Sequence, residues 1–198
     1  MMSETIRTFI AITLNPDIRE TLQKIQSHLR KTGADVKWVN PENIHLTLKF
    51  LGDTPVEKLP EIIKILQSTA HSIPSFSFSL THIGAFPKPE HPQVIWIGIE
   101  QGKADVTRLA QTLEDHLERL GFAKEKRRFD AHVTLGRTRS GFNRFALSKE
   151  IKQYRLGQEL QQSVDHLVFY KSTLTSHGPI YEVIEKVGFS ACRAKSTS

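Results

Sequence analysis

Polar and apolar positions along this chain follow two periods, one of two residues and one of about 3.6. The stretch IRTFIAITL (6–14) is dense in β-branched and aromatic residues and predicts a strand. Asn15-Pro16 then reads as an N-cap and first-turn proline, opening a helix over 17–31 with Ile18, Leu22, Ile25 and Leu29 on one stripe. Gly33 ends it, 36–39 is a short strand, NPEN is a turn, and 44–52 is a strong strand. A helix over 56–71 follows, then a strand over 76–86, a PKPEHP loop, a strand over 93–100 and a helix over 104–120 capped by Gly121. The spacing next gives a strand over 128–137, an SGFNRF loop and a short helix over 147–154. Two last strands, near 163–173 and 180–187, are joined by a turn at SHGP.

The strands alternate in polarity instead of being apolar throughout, which suits half-covered antiparallel sheets more than a parallel sheet buried on both faces. The expected architecture is therefore α+β, with helices packed on the outside of antiparallel sheets. No linker or low-complexity run divides the 198 residues. The expectation is one bilobal domain over 1–190 and a mobile tail over 191–198.

One stretch carries more than structure. In IHLTLKF (44–50), Leu46, Leu48 and Phe50 take one face, while His45 and Thr47 share the other. AHVTLGR (131–137) repeats the order, with His132 and Thr134 on one face and Val133 and Leu135 behind. Of nine histidines, only these two have threonine two residues on. Two such strands suggest two related lobes that turn polar faces toward each other. The chemistry that needs two mounted imidazoles is acid–base work on a phosphate ester. One ring takes a proton from the nucleophile, the other gives one to the leaving oxygen, and the threonine hydroxyls donate to the non-bridging oxygens.

Composition adds a direction. The net charge is +6, which favours anionic partners such as nucleic acid or phosphorylated small molecules. KEKRRF (124–129) lies just before the second motif and can either steer a nucleic-acid backbone toward it or form a solvated turn. The single cysteine, Cys192, has no neighbouring base and forms no intrachain disulfide, as in a reducing compartment. MMSETIRTF lacks an apolar leader core and VIWIGI is too short to span a bilayer, so a cytoplasmic protein away from membranes is expected. Asp130 and His132 sit at metal-like spacing, but no HExxH or Cys/His cluster supports a metal. His177, in the SHGP turn, can reach the mouth of a cleft or have no role.

With these residues in view, the chain resembles the two-histidine (2H) phosphoesterase superfamily, and within it the RNA 2′,3′-cyclic phosphodiesterases, also named 2′-5′ RNA ligases. RTFIAI (7–12), WVNPENIHLTLKFLGD (38–53), GAFP (84–87), AHVTLGR and YKSTLTSHGPIYEVI (170–184) carry the likeness. The resemblance implies two antiparallel sheets facing across a central cleft. It implies metal-free hydrolysis of an RNA 2′,3′-cyclic phosphate to a 2′-phosphate without a cofactor, and reversible 2′-5′ joining of tRNA halves, by a monomer. It makes His45 the general acid and His132 the general base; the internal symmetry alone leaves that division open. It adds Arg137 as a phosphate contact and Phe9 as an aromatic able to stack on a base. Simple alternation puts Arg137 on the face opposite His132, so the strand has to bend there, and Gly136 allows a bulge. Phe9 suits a core position equally well. Two other readings stay open: an RNA-end binder without turnover, and the same chemistry on another cyclic phosphate or 2′-5′ linkage.

Overall fold

The computed structural model describes residues 4–176 and 178–190. His177, Cys192 and the 191–198 tail lie outside the described residues. The order is β1 (Thr5–Thr13), α1 (Pro16–Arg30), β2 (Val36–Trp38), β3 (His45–Pro55), α2 (Leu59–Ser72), β4 (Phe76–Lys88), β5 (His91–Ile99) and α3 (Lys103–Glu118). Then come β6 (His132–Thr138), α4 (Arg144–Gln153), β7 (Leu160–Val164), β8 (His166–Thr175) and β9 (Gly178–Gly188).

Among the described residues every strand pairing is antiparallel, and together they form one nine-stranded sheet in the order β7-β4-β5-β6-β3-β1-β8-β9, with β2 on β6. The two expected sheets are thus halves of one ladder. Among the described residues the central strands β3 and β6 share one ladder pair, Leu46 with Val133. The sheet curls until its ends come together. Asp165 alone separates β7 from β8, although the two stand far apart in strand order, and Pro74 bridges Ser190. The apolar stripes of the helices, Leu22, Ile25 and Leu29 on α1 and Leu109 and Leu113 on α3, share one buried cluster with Leu46, Leu48, Val133 and Leu135. The helices therefore lie behind the face that carries the two histidines.

Several expected elements differ; the PKPEHP loop, for one, is a two-residue turn, because β4 runs to Lys88 and β5 begins at His91. The single strand over 163–173 is two, because Asp165 breaks it as the chain passes from β4's edge to β1's edge. The strand expected from 128 begins at His132, since the charged residues before it lie exposed and unpaired with any strand. Part of the SGFNRF loop is helical, as α4 starts at Arg144. Asn15 occupies the N-cap of α1, yet its side-chain oxygen accepts from Gln162 Nε2 at 3.2 Å and leaves the helix end uncapped.

Irregularities in β3 and β6 matter more for function. β1 pairs Ile10 with Lys49 and then Ala11 with Thr47, so Leu48 is an extra residue, a bulge. Leu48 and Lys49 are both buried and Phe50 is exposed. The bulge drives a lysine inward, where Nζ meets Glu114 at 2.8 Å and donates to the Ala123 carbonyl at 2.7 Å. Its side chain is only 2% exposed. Removing one partner of such a buried pair strands the other charge and costs about 3–5 kcal/mol. Lys49→Met is expected to lower unfolding stability by that order in a denaturant titration, and a loss below about 1 kcal/mol would show the pair to be dispensable.

Candidate functional site

The Leu46–Val133 pair sets the geometry. One residue earlier on β3 stands His45, and the antiparallel register brings Thr134 opposite it. One residue later stands Thr47, with His132 opposite. The two His-x-Thr segments are thus related by a local twofold axis through the pair, each imidazole diagonal to the other and facing the other strand's hydroxyl. Residues opposite each other in a sheet have Cβ atoms about 5 Å apart. Here the ladder lapses on either side of one pair, so the strands part and leave room between the four side chains.

That space opens into two cavities, of about 680 Å³ on the His45 side and about 590 Å³ on the His132 side. Thr47, Thr134 and Arg137 line both. Neither threonine hydroxyl, nor the Arg137 guanidinium, has a partner among the described residues. Three groups able to donate to an anion therefore converge where the cavities meet.

Arg137 reaches this place by a bulge. β5 pairs Ile95 with Gly136 and Trp96 with Thr134, leaving Leu135 as the extra residue. Leu135 and Gly136 are both buried, and Arg137 emerges on the side of His132 and Thr134. Two features hold the bulge. The Leu135 carbonyl accepts from Gln26 Nε2 and from the Val39 N–H, at 2.8 and 2.9 Å. At Gly136 a Cβ would lie 2.8 Å from Val36 Cγ1, so only glycine admits β2 this closely. The bulges at Leu48 and Leu135 hold equivalent places in the repeat. Phe50, 54% exposed, is accordingly the counterpart of Arg137 and lines both cavities. Alternation alone had put Phe50 in the core; the parallel between HLTLKF and HVTLGR was the signal that it belongs with Arg137.

Phe9 is corrected. It is 2% exposed, packed between His45 and Tyr170 at centroid distances of 4.9 and 5.1 Å, with Tyr181 edge-on at 4.9 Å. Tyrosines of β8 and β9 cover it, so no nucleobase can stack on it; it supports the His45 ring instead. Phe86 and Trp96 flank His132 at 5.0 and 6.3 Å.

The main chain sets both tautomers. His45 Nδ1 is 2.8 Å from the Asn43 carbonyl and His132 Nδ1 is 2.7 Å from the Asp130 carbonyl. A carbonyl only accepts, so each Nδ1 carries hydrogen and each neutral ring keeps its lone pair on Nε2. Again the two halves match, each using the residue two before the histidine. The Asp130 carboxylate pairs instead with Lys103 at 3.1 Å. No group of three residues able to hold a metal occurs among the described residues. No helix among them is long and apolar enough to cross a membrane.

Burial under the aromatic shell pushes the His45 pKa down to about 4, against the favourable pull of the Asn43 carbonyl. Burial lowers His132 too, opposed by the Asp130 carbonyl and carboxylate and assisted by Arg137.

Comparison with known proteins agrees with this duplicated geometry. The LigT like Phosphoesterase family model matches twice, over 12–96 and 97–181. An RNA 2′,3′-cyclic phosphodiesterase of Methanocaldococcus jannaschii is 36% identical over 181 residues, covering 91% of this chain and 99% of its own length. One from Thermotoga maritima is 34% identical over 184 residues, covering 93% and 96%. The solved structure of TT0787 of Thermus thermophilus superposes with a TM-score of 0.78 at 26% identity, over 94% of this chain and 99% of that one. E. coli LigT complexed with 3′-AMP shares the fold with a TM-score of 0.78 at 23% identity and the same coverage.

Nuclear magnetic resonance of labelled histidines is expected to show both rings with hydrogen on Nδ1. In the free protein His45 should stay neutral as pH falls until about pH 4, and His132 should titrate below the ordinary histidine value. A His45 midpoint at the ordinary histidine value of about 6.5, or hydrogen on Nε2, would contradict the site geometry.

Proposed function

We propose, from the premise that this chain belongs to the LigT like phosphoesterase family, that it hydrolyses 2′,3′-cyclic phosphate ends of RNA to 2′-phosphates. The observation that carries the proposal is the diagonal placement of His45 and His132 about the Leu46–Val133 pair, with Thr47, Thr134 and Arg137 between the two cavities. The family names of the M. jannaschii and T. maritima relatives point to the same reaction.

The cyclic phosphate sits between the rings, its non-bridging oxygens receiving hydrogen bonds from the two threonine hydroxyls and the Arg137 guanidinium. These donors meet charge that grows as phosphorus becomes five-coordinate, where fixed donors are worth most. His132 Nε2 takes a proton from water as its oxygen attacks phosphorus. The P–O3′ bond opposite breaks, and protonated His45 gives its Nε2 proton to the departing oxygen. The products are a 2′-phosphomonoester and a 3′-hydroxyl, with His45 neutral and His132 charged; proton exchange with solvent resets both.

This division asks for a protonated His45, although the free ring is held neutral down to about pH 4. The substrate supplies what is missing. An anion within about 4–6 Å favours the charged form of a histidine, so substrate binding is coupled to protonation of the buried ring. A 5′-hydroxyl in place of water would follow the same path to a 2′-5′ bond. The chemistry proposed needs no metal or cofactor and one chain, in the cytoplasm.

The test uses a nucleoside 2′,3′-cyclic phosphate in excess chelator, with product identification. Turnover to the 2′-phosphate is expected, and His45→Ala and His132→Ala should each lose about 10²–10⁴-fold in rate while remaining folded. Near-full activity in either variant, or a 3′-phosphate product, would overturn the paired mechanism or its polarity.

A further inference from the structure

We infer that the cavity on the His132 side is a subsite for the RNA chain upstream of the cyclic end, and that Arg127 and Arg128 hold its phosphates; this rests on the hydrolase reading above. A cyclic-ended RNA leaves its reacting phosphate in two directions, through the terminal base and through the 5′-oxygen to the next nucleotide. The two cavities that meet at Thr47, Thr134 and Arg137 differ in kind. The one beside His45 has walls from Trp38, Pro179, Ile180 and Tyr181, suited to a base. The one beside His132 is walled by the segment KEKRRFD (124–130).

Charge in that wall is unevenly committed. Lys124 is tied to Asp115 and Glu118 at 2.8 and 3.0 Å, and Asp130 to Lys103. Glu114 is tied to Lys49. Glu125 donates its backbone N–H to Glu114, and its own carboxylate is exposed. Arg127 and Arg128 are exposed and have no partner among the described residues. With Arg137 they leave three uncommitted guanidiniums against one carboxylate around a cavity of about 590 Å³. Guanidinium forks match phosphate oxygens in two parallel hydrogen bonds.

The wall is also anchored, which a solvated turn would not need. Lys49, buried by the β3 bulge, holds the Ala123 carbonyl, Glu114 holds the Glu125 N–H, and Phe129 packs against the core. The strand that carries His45 and Thr47 thereby fixes the start of the basic segment.

The experiment compares kcat/KM for a mononucleoside 2′,3′-cyclic phosphate and a dinucleotide with the same cyclic end. The wild type is expected to favour the dinucleotide about tenfold or more, with a preference that weakens as salt rises. The Arg127→Ala/Arg128→Ala variant should lose about tenfold on the dinucleotide and stay within about twofold on the mononucleotide. Its salt slope should fall by about 0.7 per lost phosphate contact. The Arg127→Lys/Arg128→Lys variant should retain most of the preference. No dinucleotide preference in the wild type, or equal losses on both substrates, would overturn the subsite while leaving the hydrolase reading intact. Absence of wild-type turnover on both substrates would overturn the hydrolase reading and the subsite with it.

Discussion

The backbone pairing of Leu46 with Val133 joins the two halves of the sheet, and the geometry of the site follows from it. A longer ladder would close the strands and fill the space with paired backbone. With no pairing, the register that sets one imidazole against the other would be lost. A single pair lets His45 face Thr134 and His132 face Thr47 while the strands part on either side. Leu46 and Val133 are fully buried, so a slip of one residue would expose both and bury the polar set, which makes the register costly to change.

Around that pair the halves repeat each other closely and differ in the groups they present. Each histidine is oriented by the carbonyl two residues before it, and each strand bulges just after its threonine. The bulges deliver unlike groups, the apolar ring of Phe50 and the guanidinium of Arg137, which suits a ligand with a base at one end and a phosphate beside it. The shells also differ. His45 has Phe9, Tyr170 and Tyr181 around it, whereas His132 has Phe86 and Trp96. The heavier cover is what pushes the His45 proton affinity so far down.

The strand alternation at 44–50 and 131–137 made the motif face, the fold class and the pairing of histidine with threonine legible before any coordinates. What alternation cannot encode is an interruption of itself. Lys49 and Phe50 exchanged their expected sides because of an extra residue opposite β1, and a two-residue period has no term for that. Arg137 was recoverable because Gly136 marked the irregularity. Gln26 gave no signal: a polar residue on a helix reads as exposed, and only the packing of α1 against the Leu135 carbonyl shows its use. Phe9 was ambiguous for a related reason, since its burial depends on tyrosines contributed from the far end of the chain.

The most direct measurement is a crystal structure with a non-hydrolysable nucleoside 2′,3′-cyclic phosphate analogue bound. Phosphorus is expected between the two rings, with His45 and His132 Nε2 within about 2.6–3.2 Å of oxygens on opposite sides of it. The hydroxyls of Thr47 and Thr134 should donate to the non-bridging oxygens. Phosphorus held by one half alone, with the other histidine turned away from it, would contradict the account.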